Sequence, residues 1–132
     1  MTQISATIGT ELYRMQIQTA TNALIADEPE ELGGQDLGFS PADLLAASLG
    51  ACTCATLRMY ADKKGWDLTD VQADVTFERD FANNQSHFTR TITLTGNLDE
   101  EQRQRLLTIA NNCFIHKTLT NPIDIATSLS PL

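Results

Sequence analysis

The chain has 132 residues, 42% of them apolar and 20% charged, a globular composition long enough to bury roughly two-thirds of its unfolded surface without a metal cluster or disulfide framework. One domain spanning residues 1–132 is the expectation. The formal charge of −8 opposes phosphate backbones and anionic lipids, and so argues against a nucleic-acid or membrane-surface partner.

Met1-Thr2-Gln3-Ile4-Ser5 carries no basic stretch followed by an apolar run. The three cysteines are odd in number and too few for a secreted scaffold, so a cytoplasmic setting with free thiols is expected. Short alternating patterns over Ser5 to Ile8, Tyr13 to Thr19 and Asn22 to Ala26, with a turn at Gly9-Thr10-Glu11, predict two or three antiparallel strands. The acidic, Gly-rich stretch from Asp27 to Ser40 reads as a loop.

A helix begins at Ser40, which takes the N-cap position, with Pro41 first inside and Asp43 beside the exposed amides. From Asp43 to Arg58 no charge interrupts it, and a helix apolar all round belongs inside a protein or a membrane. The uncharged stretch covers only about 21 Å against a hydrocarbon core of roughly 30 Å, which favours a central pillar walled in by the fold or by a second subunit. Lys63-Lys64-Gly65 supplies its stop, two cations and a left-handed cap.

Val71 to Arg79 and His87 to Leu94 alternate around the polar turn Asp80 to Ser86, as a hairpin with one wet face does. Asp99 with Gln102 opens a second helix whose buried stripe is Leu106, Ile109, Ala110 and Cys113, which turns Cys113 inward. A short helical turn over Cys113 to Leu119 and a last strand over Ile123 to Leu129 complete an α+β chain with antiparallel sheet.

The chemistry-bearing side chains are Cys52, Cys54, Cys113, His87, His116, Arg14, Arg58, Arg90, Lys117 and Asp43. Cys52 and Cys54 stand about 200° apart around a helix, so they can share neither a metal nor a disulfide, and packing as small hydrophobes accounts for either one. Cys113 and His116 make half of a zinc pattern whose other half is missing, so no metal and no other cofactor is expected. Nucleophile elbows, phosphate loops and dinucleotide fingerprints are absent from the sequence.

The run Ser40-Pro41-Ala42-Asp43-Leu44-Leu45-Ala46-Ala47-Ser48-Leu49-Gly50-Ala51-Cys52, followed by Thr53 to Ala61 and Gly65-Trp66, resembles the central helix of the OsmC-like family of osmotically inducible and organic hydroperoxide resistance proteins. Asn112-Cys113-Phe114-Ile115-His116-Lys117-Thr118-Leu119 is similar to that family's second cysteine segment, with Phe114 where the family usually has Pro. The resemblance implies an intertwined homodimer with antiparallel sheets packed on a long buried central helix. It also implies a peroxiredoxin-like hydroperoxide reductase in which Cys52 attacks a small organic hydroperoxide, Cys113 resolves and an outside dithiol reduces the disulfide. Cys54 has no family role.

A thiol buried in an apolar helix ionises poorly unless a cation or amide donors stabilise the thiolate. In the peroxidase branch an Arg from the N-terminal hairpin does this, held by a Glu at the helix start; Arg14 is the residue here in the corresponding region. Ser40-Pro41-Ala42 stands where the peroxidase branch has Asn-Pro-Glu, and the acid follows one place later at Asp43. That departure resembles the less-characterised branches. It keeps open a second reading, an OsmC-like domain without peroxidase activity that binds a small apolar ligand at the dimer interface.

Overall fold

The computed structural model describes residues 1–131. They form two compact units, Met1–Ala47 with Phe77–His87, and Ser48–Thr76 with the residues from Phe88 onward.

In the first unit, β1 (Ser5–Ile8), β2 (Met15–Gln18) and β3 (Ala23–Ala26) form an antiparallel meander. Ser5 pairs with Gln18 and Ile8 with Met15, and Met15 in turn pairs with Ala26. The Thr19 hydroxyl accepts from the amides of Thr21 and Asn22, a local side-chain turn that fixes the second hairpin's register. The loop after β3 is ordered around Asp27, whose side chain is fully buried. Its Oδ1 accepts from the amides of Tyr13 and Glu28, its Oδ2 from those of Gln35 and Leu37, at 2.8–3.2 Å. Burial pushes this carboxyl up, but the amides of Leu37, Gln35, Glu28 and Tyr13 outweigh it and hold it below the ordinary aspartate value. Gly38 is required where the loop returns, because a Cβ there would stand 2.0 Å from the Ile25 carbonyl oxygen.

The long helix α1 (Pro41–Lys64) starts as the sequence predicts. The Ser40 hydroxyl accepts from the Asp43 amide and the Asp43 carboxylate accepts from the Ser40 amide, each at 3.0 Å. Its end is a Schellman cap: Gly65 sits at φ 71° and the Trp66 amide reaches the Ala61 carbonyl at 2.9 Å. Tyr60 and Trp66 seal that cap edge to face, ring centroids 5.6 Å apart.

One expectation about this helix changes. At 24 residues it is about 36 Å long, so by length and composition it could cross a membrane, and the shortness argument fails. In the single chain Leu49, Thr53, Leu57 and Ala61 make one buried stripe at four-residue spacing, while Ala51, Ala55 and Met59 are exposed.

In the second unit that stripe meets a core of Leu57, Ala61, Leu68, Leu106 and Ala110, flanked by Val71, Ile92, Leu94 and Ile109. Strand β4 (Asp67–Asp80) pairs with β5 (Gln85–Asn97), and both extend beyond the predicted Val71 to Arg79 and His87 to Leu94. Helix α2 (Glu100–Ala110) begins with the predicted capping box: Asp99 accepts from the Gln102 amide and Gln102 accepts from the Asp99 amide. It buries Leu106 and Ala110. Helix α3 (Phe114–Leu119) follows, with Cys113 at its N-cap.

The strand expected over Ile123 to Leu129 does not form. Ile123, Ile125 and Leu129 are exposed and find no strand to pair with among the described residues, so alternation alone gives this segment nothing to bury against.

Candidate active site

The second unit brings Cys52 and Cys113 together. Cys52 is half-buried on α1, and Cys113 is buried at the N-cap of α3; the helical stripe expected to reach it stops at Ala110, and the turn after α2 carries it inward. Burial alone pushes the Cys52 thiol up. Against it act the backbone amide of Ile115, the Thr56 hydroxyl 3.9 Å away, the Cys113 thiol and the backbone amide of Phe114, and the thiol ends below its ordinary value. The stabilisation that the sequence required therefore comes from amide and side-chain donors.

Cys113 has its own surroundings. Its sulfur accepts from the His116 amide at 3.4 Å and lies 3.9 Å from Nη1 of Arg90. The same Nη1 donates to the Thr53 hydroxyl at 3.0 Å, while Thr53 donates to the Leu49 carbonyl at 2.7 Å. Nη2 of Arg90 donates to Oδ1 of Asn111 and to Nδ1 of His116, both at 3.0 Å. A guanidinium only donates, so His116 must present a lone pair at Nδ1 and carry its hydrogen on Nε2. Burial and the Arg90 charge together hold His116 below the ordinary histidine value, consistent with that neutral form.

Asp43 is occupied as the capping carboxylate of α1, and Arg14 is exposed just ahead of β2; both belong to the first unit. Cys54 sits 3.7 Å from the Val71 carbonyl, away from the paired thiols, as its helical angle required. Arg58 pairs with Asp62 at 3.1 Å along α1, while His87 and Lys117 are exposed. Among the described residues no three His, Cys, Asp or Glu side chains come together as a metal site.

Arg90, Thr53 and Asn111 are the residues of this cluster to which sequence reasoning gave no role. A signal for Arg90 was present. It shares with Phe88, Ile92 and Leu94 the half-buried face of an alternating strand, where a charge has to meet a polar partner. Thr53 is likewise the one hydroxyl in the stripe of Leu49, Leu57 and Ala61.

The fold and site define an α+β protein with two thiols in contact, one at a helix N-cap. A model of the OsmC-like protein family matches residues 33–128, and the chain belongs to that family. No curated protein matches the chain. Among solved structures it is similar to one from Psychrobacter arcticus 273-4, provisionally named an osmotic stress induced and detoxification response protein. That structure has 26% identity and a TM-score of 0.78 over 89% of this chain and 88% of the other. An OsmC-like protein from Mycoplasma pneumoniae aligns at 19% identity and TM-score 0.76, covering 89% of this chain and 85% of that one. An organic hydroperoxide resistance protein from Legionella pneumophila aligns at 22% and 0.68, covering 91% and 89%. The mixed α+β architecture, with antiparallel sheet and a long helix, matches that of these neighbours.

Proposed function

We propose that the chain is a thiol-dependent peroxidase that reduces organic hydroperoxides with Cys52 and Cys113. The observation that carries this reading is the contact of the two thiols, with Cys52 half-exposed and its thiolate favoured by amide donors. The Cys52 thiolate attacks the outer peroxide oxygen and the O–O bond breaks. Cys52 becomes a sulfenic acid, and the departing alkoxide takes a proton to become an alcohol. The Cys113 sulfur then attacks the sulfenic sulfur and water leaves, giving a disulfide that an external dithiol reduces to two thiols.

The name of the Legionella neighbour favours the same substrate class and that of the Psychrobacter neighbour a stress role; a cytoplasmic setting is part of the proposal. A homodimer is part of the proposal. Met59, Phe114, Ile123, Ile125 and Leu129 leave apolar surface on the second unit of a single chain, which a second copy would cover.

One equivalent of cumene hydroperoxide should remove two hydrogens from the intact mass, mapped to a Cys52–Cys113 disulfide, and Cys52→Ser should abolish peroxide consumption. An unchanged wild-type mass, or a Cys52→Ser protein that consumes peroxide at the wild-type rate, refutes the proposal.

A further inference from the structure

We infer that Arg90 is a further catalytic residue of this cycle, the counterion that receives the charge of Cys113 when that sulfur leaves the disulfide; the inference rests on the two-thiol reading above. The observation behind it is a guanidinium with no anion. Arg90 carries four polar contacts, to Thr53, Cys113, Asn111 and His116, and all four partners are neutral when the thiol is protonated. Among the described residues no carboxylate lies within ion-pair distance of it. A permanently charged, half-buried group is usually matched by a carboxylate, because taking it out of water unpaired is costly. Here the only partner able to become an anion in one proton step of thiol chemistry is Cys113.

The geometry is one-sided in a way that fits a particular step. In disulfide reduction an external dithiol supplies a thiolate, which attacks the half-exposed Cys52 sulfur. The S–S bond breaks, and its electron pair goes to Cys113. The new negative charge then appears on a buried sulfur, 3.9 Å from Nη1 of Arg90 and 3.4 Å from the His116 amide nitrogen. The second thiol of the reductant displaces Cys52 from the mixed disulfide, both protein sulfurs recover protons, and the reductant leaves as its own disulfide. A charge held in place before the reaction stabilises the leaving sulfur without reorganisation. The surrounding bonds hold that charge in place: Thr53 spends its hydrogen on Leu49, so its oxygen can only accept from Arg90, and the neutral His116 nitrogen does the same. Three neutral acceptors thus fix the fork while leaving its charge unmatched.

Diamide joins neighbouring thiols without any hydroperoxide, so the inference can be tested apart from the peroxidase reading. In a Cys54→Ser background, the Cys52–Cys113 disulfide is formed with diamide and its reduction by dithiothreitol is followed by mass. Arg90→Gln and the longer-stemmed Arg90→Met should both slow reduction by about tenfold or more relative to the parent, the scale of losing a charge-assisted contact to the leaving group. Arg90→Lys should recover most of the rate, since it restores the charge. A purely structural clip predicts the opposite for Lys, which lacks the planar fork that four partners require. Reduction of both uncharged variants within about twofold of the parent, or Lys no faster than Gln, overturns the assignment. Failure of diamide to join the two cysteines overturns it together with the two-thiol reading. A wild-type chain inert to hydroperoxide but sensitive to Arg90 in this assay sinks only the peroxidase proposal.

Discussion

Thr53→Val isolates the hydroxyl that anchors Arg90. Thr53 is fully buried, donates to the Leu49 carbonyl and accepts from Arg90. Valine keeps the shape and loses both bonds. The Leu49 carbonyl retains the helical amide four residues on, so its loss is small. Arg90 loses a neutral acceptor for a charged donor, worth about 1.5–3 kcal/mol in general, and water can reach a half-buried guanidinium, so the low end of about 1.5–2 kcal/mol applies. With an unfolding entropy of about 2.1 cal/mol/K per residue over 132 residues, the thermal midpoint should fall by about 5–7 °C. Thr53→Ser keeps both bonds and gives up one buried methyl, about 1 kcal/mol, or about 3–4 °C. Thermal unfolding followed by circular dichroism, with a urea titration as a second measure, gives the order. A Thr53→Val protein as stable as wild type, or more stable than Thr53→Ser, refutes the claim that the hydroxyl holds the guanidinium.

Two further outcomes follow from groups whose ionisation the fold alters. The Asp27 carboxyl is held below 3.8, so the folded state prefers it ionised. Its contribution is fully present above that value and is lost as pH falls through the lower folded one. Asp27→Asn turns an amide nitrogen toward two backbone donors. It should lower the urea midpoint at pH 7 and flatten the loss of stability in acid; a variant that tracks wild type at every pH contradicts the caged carboxylate. Phe114→Pro suits the first position of a helix yet deletes an amide that favours the Cys52 thiolate. At about 1 kcal/mol for that bond, alkylation of Cys52 by iodoacetamide at pH 7 should slow about fivefold, and an unchanged or faster rate refutes the role of the amide.

The parts of this molecule legible in the sequence are those written in local periodicity. The Ser40–Asp43 and Asp99–Gln102 caps and the Gly65 stop each depend on residues within a few positions of one another. The short strand over Ile123 to Leu129 failed by the same standard, since alternation shows that a segment could pair and says nothing of whether a partner edge exists. The thiol pair itself became visible through family resemblance, because two residues 61 positions apart carry no local sign of contact. Arg90 stood among the candidates without a role because its partners Thr53, Asn111 and His116 lie on three other segments, so their convergence is a property of tertiary packing. Asp27 looked like one acid among several in a polar loop. What sets it apart is the convergence of four amides, and amides leave no mark in a sequence.

The contacts of Asp27 and those of Arg90 differ in how much chain they enclose. Asp27 gathers amides at separations of 1, 8, 10 and 14 residues, short closures that cost little loop entropy. Arg90 reaches partners 21, 23, 26 and 37 residues away. Non-local pairings of this kind are the slow ones to assemble. The acidic loop can therefore take shape early in folding. The guanidinium meets its sulfur only when helix, hairpin and C-terminal segment have already docked, so a thiol left unpaired with Arg90 marks a chain whose folding has not finished.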